Sequence, residues 1–143
     1  MSFRLTSMPV DQSMVGREFP PTSHRTVTLD DVTAFASALG NVAEEQVEGQ
    51  IPPTYPIVLA FEAMNAFLAA EQIDLFRIIH GEQRFSYVRP VRIGDRLTAT
   101  LTVSSLRQIG GADIIGTTSE ITDVMGARVC VTSATLVHKG ADA

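Results

Sequence analysis

The chain has 143 residues, 45% of them hydrophobic and only 6% aromatic with no tryptophan, which suits one domain with a mainly aliphatic and alanine core. A formal net charge of -5 without any basic stripe argues against a nucleic-acid-binding domain. The single cysteine, Cys130, rules out an intrachain disulfide and fits a reducing cytoplasm, and no apolar run is long enough for membrane insertion, so a soluble cytoplasmic protein is expected.

Residues 1–12 carry no sustained apolar segment, so they read as a poorly ordered terminus and not as a secretory signal; residues 13–140 read as a single domain. "TLDDVTAFASALGN" predicts a short helix. Thr28 is placed to cap it, with Asp31 three residues on, close to a capping box. Val32, Phe35, Ala36 and Leu39 share one face, and Gly40 supplies a left-handed stop. "NVAEEQVEGQIPP" reads as a polar, acidic loop.

"TYPIVLAFEAMNAFLAAEQ" predicts a second helix, with Thr54 as N-cap and Pro56 in the first turn, where a missing N–H is tolerated. It is apolar on nearly all sides, the mark of a helix buried by its surroundings, with Tyr55, Leu59, Met64, Phe67 and Leu68 in the core. The period then switches to two. "RFSYV" predicts a short strand and Gly94-Asp95 a turn. In "RLTATLTVSSL", Leu97, Ala99, Leu101 and Val103 face one way and the threonines the other. Gly110-Gly111 marks a turn, and "DIIGTTSEITDV" and "RVCVTSATLVHK" are two more strands joined near Met125-Gly126. Short connections make the three long strands an antiparallel meander. The class is α+β, a buried helix packed on a curved antiparallel sheet.

Few residues offer chemistry. His24, His80 and His138 are scattered without ligand spacing, so no metal is expected, and no cofactor either. Cys130 lies in an apolar run and reads as a small buried hydrophobe. Arg84, Arg89 and Arg92 suit either the phosphates of a ligand or ordinary edge charges that discourage sheet aggregation.

Four blocks carry a resemblance: "VGREFPPTSHRTVTLDDVTAFASALG", "IPPTYPIVLAFEAM", "IIHGEQRFSYVRPVRIGDRLTATLTV" and "TTSEITDVMGARVCVTSATLV". They resemble the MaoC-like dehydratases, in particular the N-terminal-type domain and the A-type subunits of mycobacterial (3R)-hydroxyacyl-ACP dehydratases. The resemblance spans about residues 10 to 138, and "HGEQRFSYVRPVRIGD" is its most distinctive block. It implies a hot-dog fold, with two such domains pairing into a continuous sheet and an acyl thioester bound at their interface. It also implies interconversion of trans-2-enoyl and (3R)-3-hydroxyacyl thioesters by an Asp and a His in a D-x-N-P-x-H pattern. A base must take a proton from C2, an acid must protonate the departing hydroxyl, and an N–H donor must hold the thioester oxygen.

The sequence departs from that pattern. Asn41 stands where the family has its catalytic Asp, and "VAEEQVEGQ" follows with no histidine. Asn hydrogen-bonds but does not act as a general acid or base at neutral pH. "IPPTYP" replaces the His-Gly pair that often precedes the central helix; Pro52, Pro53 and Pro56 lack an N–H, while Thr54, Tyr55 and Ile57 keep theirs. The leading expectation is therefore a dyad-less subunit whose side of the site is lined by Asn41, Thr54, Tyr55 and Ile57. It would take an acyl-CoA or acyl-carrier-protein thioester and pair with a hot-dog subunit that bears the dyad. Three alternatives stay open: a self-sufficient homodimeric hydratase using Glu44, Glu45 or His80, a non-enzymatic acyl-thioester-binding homodimer, and a thioesterase relying on Glu62. His80 is expected to pack or hydrogen-bond at the pairing surface.

Overall fold

Long stretches of period-two sequence pair into one sheet. The structure, a computed structural model, describes residues 12–38 and 51–139. In them lie β1 (Arg25–Thr26), α1 (Leu29–Ala38), α2 (Ile57–Ala70), β2 (Ile78–Tyr87), β3 (Arg96–Ile109), β4 (Ala112–Thr122) and β5 (Arg128–Lys139). Every pairing is antiparallel, and the strand order is β1-β3-β4-β5-β2. β3, β4 and β5 form the expected meander. Gly110 and Gly111 turn its first hairpin and Gly126 its second, all at positive φ, where a side chain would be strained.

The alternation predicted for β3 holds: Leu97, Ala99, Leu101 and Val103 are buried, and Ile115, Ile121 and Leu136 join them from β4 and β5. α2 lies in this concave face and buries Leu59, Ala60, Ala63, Phe67 and Leu68. The Phe67 ring meets Phe19 edge-on at 4.9 Å. α1 begins as expected, with the Thr28 hydroxyl accepting from the Asp31 amide at 3.1 Å.

The structure corrects three local expectations. Thr54 does not cap α2: Pro56 stands at the N-cap in helical conformation without a side-chain cap, because the chain is already wound by a turn in which the Tyr55 amide reaches the Pro52 carbonyl at 2.9 Å. α2 is not buried all round. One sheet covers one side, so Phe61 stays 40% exposed and Asn65 and Ala69 also face outward. The strand read in "RFSYV" runs for ten residues from Ile78, and β1 is a two-residue strand too short to show a period. The expectations for residues 1–11, for Leu39 and Gly40, and for the acidic loop from Asn41 to Gln50 lie outside the described residues.

The curl of the sheet has a local cause. One lateral row, Ser105, Gly116, Thr135 and Glu82, crosses all four long strands. Bulges sit at both ends of that row, between Val103 and Ser105 in β3 and between His80 and Glu82 in β2. At its centre, a Cβ on Gly116 would come within 2.3 Å of the Ser105 hydroxyl. Bulges bend a strand and raise its twist, so the sheet folds over α2 along this row.

The seating of α2 predicts a contrast between two phenylalanines. Phe67→Ala should destabilise the chain by about 3–5 kcal/mol, and Phe61→Ala by roughly 1 kcal/mol or less, as read from denaturant midpoints. Equal losses would show that α2 is not packed by one face.

Candidate functional site

A groove of about 510 Å³ opens beside the N-terminus of α2. One wall is Ile51, Pro52 and Pro53; the other is the segment Tyr87 to Val91 at the end of β2. The Tyr87 hydroxyl donates to the Pro53 carbonyl and clamps the walls together across 34 residues of sequence. The second wall is anchored from behind. Arg89 pairs with Asp95 at 2.9 Å and 3.2 Å and reaches Asp123 at 3.6 Å, and Asp95 also accepts from the Arg92 amide at 2.8 Å. Burial alone would push the Asp95 carboxyl up, but the Arg89 guanidinium and the Arg92 amide outweigh it and hold it below the usual range.

The amides at the start of α2 are mostly spent. The Tyr55 amide donates to Pro52, Ile57 to Thr54 at 3.0 Å, and Val58 to Tyr55 at 3.0 Å. Pro53 and Pro56 have none. Thr54, exposed in the turn, keeps the amide that no described acceptor takes. Of the three N–H groups expected to remain for a ligand oxygen, one is without an acceptor among the described residues.

The Tyr55 side chain points away from the groove into the core, edge-on to Phe35 at 5.6 Å. Burial pushes its phenol up; the neighbouring Arg25 guanidinium pulls it down, and Asp31 adds to the rise. Arg25 itself sits 3.5 Å from Asp31. Neither Tyr55 Oη nor Arg25 Nε finds a hydrogen-bond partner among the described residues, so proximity here does not amount to an aligned bond.

His80 lies outside the groove. It stands on the inner face of β2 with its ring 5.4 Å from Phe61, and its Nε2 is buried without a described partner. Asn41, Glu44 and Glu45 lie outside the described residues. Glu62 is half-buried on α2. His138 is paired with Asp113 at 3.1 Å at the far end of the sheet, where Asp113 also accepts from Gln108. Cys130 is fully buried, and burial pushes its thiol up, which disfavours the thiolate a nucleophile needs. Arg84 is engaged by Glu82 at 2.6 Å and Arg89 by its two aspartates, so both act as wall and edge charges. Sequence reading missed Tyr87 and Gln83. The residues around them are distant in the chain, and no local pattern marks them.

The sequence profile of the FAS1-like, dehydratase domain region matches residues 13–132. A UPF0336 protein of Streptomyces coelicolor is 34% identical over 148 residues, across 94% of this chain and 99% of its own. Among solved structures, a chain of the C-terminally truncated HadBC (3R-hydroxyacyl-ACP dehydratase) complex of Mycobacterium tuberculosis is similar with a TM-score of 0.74 at 24% identity, covering 90% of this chain and 98% of that one. A MaoC-like dehydratase also gives 0.74 at 24% identity, over 92% of this chain but 44% of its own. The shared fold is the hot dog expected from the sequence.

Both tyrosines of the chain resist ionisation. Burial pushes the Tyr87 phenol up to about 12, with Cys130 adding to the rise, and its hydroxyl is turned onto Pro53 although 39% of the residue stays exposed. The unfolded chain releases these protons near 10, so the folded chain holds them longer. Stability should be complete below about pH 10 and fall as pH rises from there through about 12. Phenolate absorbance, free of tryptophan signal, checks this: a native titration centred near 10 would contradict the clamp. Tyr87→Phe should cost about 1 kcal/mol in the same denaturant assay.

Proposed function

We propose that this chain, which belongs to the FAS1-like dehydratase-domain family, is the binding half of a MaoC-like hydratase or dehydratase, holding an acyl thioester while a second hot-dog subunit supplies the acid and base. The observation that carries this reading is the composition of the groove. It is an apolar slot at a helix N-terminus, next in the chain to the Thr54 amide that no described acceptor takes, and its described walls hold neither a carboxylate nor an imidazole.

Such a slot suits half of the reaction. Hydration of a trans-2-enoyl thioester draws charge onto the thioester oxygen, and the Thr54 N–H at the positive end of the α2 dipole is a donor for it. Adding the hydroxyl to C3 and the proton to C2 needs a general base and a general acid. Asn41, at the place of the family's Asp, holds a water or hydroxyl by hydrogen bonding but does not exchange its proton. His80 then keeps a packing role against Phe61.

A second subunit has a place to attach. β2 is the outer strand of the sheet, ten residues long, and a strand edge of this kind is open to pairing with another chain. The exposed side of α2, with Phe61, also waits for cover. The similar mycobacterial dehydratase is a HadBC complex, and the similar MaoC-like chain is more than long enough for a second unit of this size. These support a heteromeric pair or a homodimer. The ligand in this reading is the thioester of CoA or of an acyl carrier protein.

Purified chain assayed with a short trans-2-enoyl-CoA should show no hydration above a heat-treated control, and hydration should appear when a hot-dog subunit bearing D-x-N-P-x-H is added. Turnover by the chain alone would overturn the binding-half reading. If Glu44→Ala or Glu45→Ala then removed that turnover, the self-sufficient enzyme would take its place.

A further inference from the structure

The concave face of the sheet is aliphatic along most of its length, as at Leu97, Leu101, Ile115 and Leu136. Beneath Phe61 and Met64 it changes. Gln83, Thr117, Ser119 and Thr132 stand together there, and the last three are among the most buried polar residues described. Between them and α2 is an enclosed space of about 10 Å³, room for one water-sized group. Gln83 Nε2 is buried and finds no acceptor among the described residues. The hydroxyl-bearing Thr117, Ser119 and Thr132 line the same space. Buried polar groups are ordinarily paired, so an unpaired amide N–H set beside three hydroxyl-bearing residues on one small space points to an absent partner.

The space lies on the same seam as the groove. Tyr87, Phe85 and Gln83 follow one another on the inner face of β2, so the groove end and the polar space are about 13 Å apart along the strand. Along the helix side, Thr54 and Phe61 are about 10 Å apart. An acyl chain held at the Thr54 amide and laid along this seam reaches Gln83 at medium length. Phe61 is partly exposed, and Met64 is unbranched and readily repacked, so both can turn aside to admit it.

We propose that this polar space seats an oxygen carried on the distal part of the acyl group, and that the chain selects acyl thioesters oxygenated away from the thioester over plain aliphatic ones. This rests on the thioester-binding reading above and names its substrate class. The oxygen accepts from Gln83 Nε2 and exchanges hydrogen bonds with the hydroxyls of Thr117, Ser119 and Thr132. A methyl terminus would leave all four dry.

The test is calorimetric titration of the full-length chain, in its purified assembly, with octanoyl-CoA and with its ω-hydroxy counterpart. The ω-hydroxy thioester should bind about tenfold more tightly. Gln83→Leu and the isosteric Thr132→Val should each erase that preference while retaining octanoyl-CoA binding, and the second variant keeps the test open if the first perturbs folding. Equal affinities in the unaltered chain would overturn the proposal, leaving the space to an ordered water and the thioester-binding reading intact. Binding of neither ligand would overturn both.

Discussion

A helix that presents Leu59, Ala63 and Phe67 along one side must be met by a surface curved to fit it, and that curvature comes from one bent row of the sheet. Each of these larger side chains contributes about 1.5–3 kcal/mol when fully removed from water, but only if the sheet wraps far enough to cover it. The row through Ser105, Gly116, Thr135 and Glu82 supplies the wrap. Gly116 has no side chain where the Ser105 hydroxyl crosses, and the bulges at either end let β3 and β2 turn inward. Were the row regular, the outer strand would run past α2 instead of over it. Tyr87 would then not reach Pro53, and there would be no groove.

The same bend decides which polar groups enter the core. The bulge between His80 and Glu82 changes the phase of β2. Ahead of it Ile78 and His80 point inward; after it Gln83, Phe85 and Tyr87 do. An unbroken alternation would have turned Glu82 and Arg84 to the core and Gln83 to solvent. One inserted residue thus places a neutral amide beside Phe61, leaves Glu82 and Arg84 to pair with each other outside, and aims Tyr87 at the α2 entrance. Buried unpaired amides and hydroxyls lower stability, and chains retain them chiefly where a ligand or partner uses them.

The electrostatics of the groove follow from its anchoring. Arg89 spends its guanidinium on Asp95 and Asp123, joining the β2–β3 connection to the β4–β5 turn. The wall is held firm, and the charge of its lining residue Arg89 is paired. With the Tyr55 and Ile57 amides taken by the entry turn, the field at the groove comes from the helix dipole and the Thr54 N–H. Two surfaces stay open, the β2 edge and the Phe61 side of α2.

Much of the fold was legible in the sequence because it depends on near neighbours. Thr28 caps α1 through a contact three residues long, Gly110, Gly111 and Gly126 turn hairpins through their own backbone freedom, and β3 shows its buried face through simple alternation. β2 was read as half its length because the bulge at Gly81 breaks the period on which strand reading relies. The entry to α2 was misread at Thr54 because the turn closed by Pro52 had already started the helix. Tyr87 meeting Pro53, Arg89 meeting Asp123, and Gln83 meeting the hydroxyls of β4 and β5 join residues far apart in the chain. The sequence by itself determined most of the elements and the family, since those rest on residue chemistry and short spacings; only the tertiary structure decided which amide is left without a described acceptor and which polar groups face inward, since both depend on where the chain turns and the sheet bends.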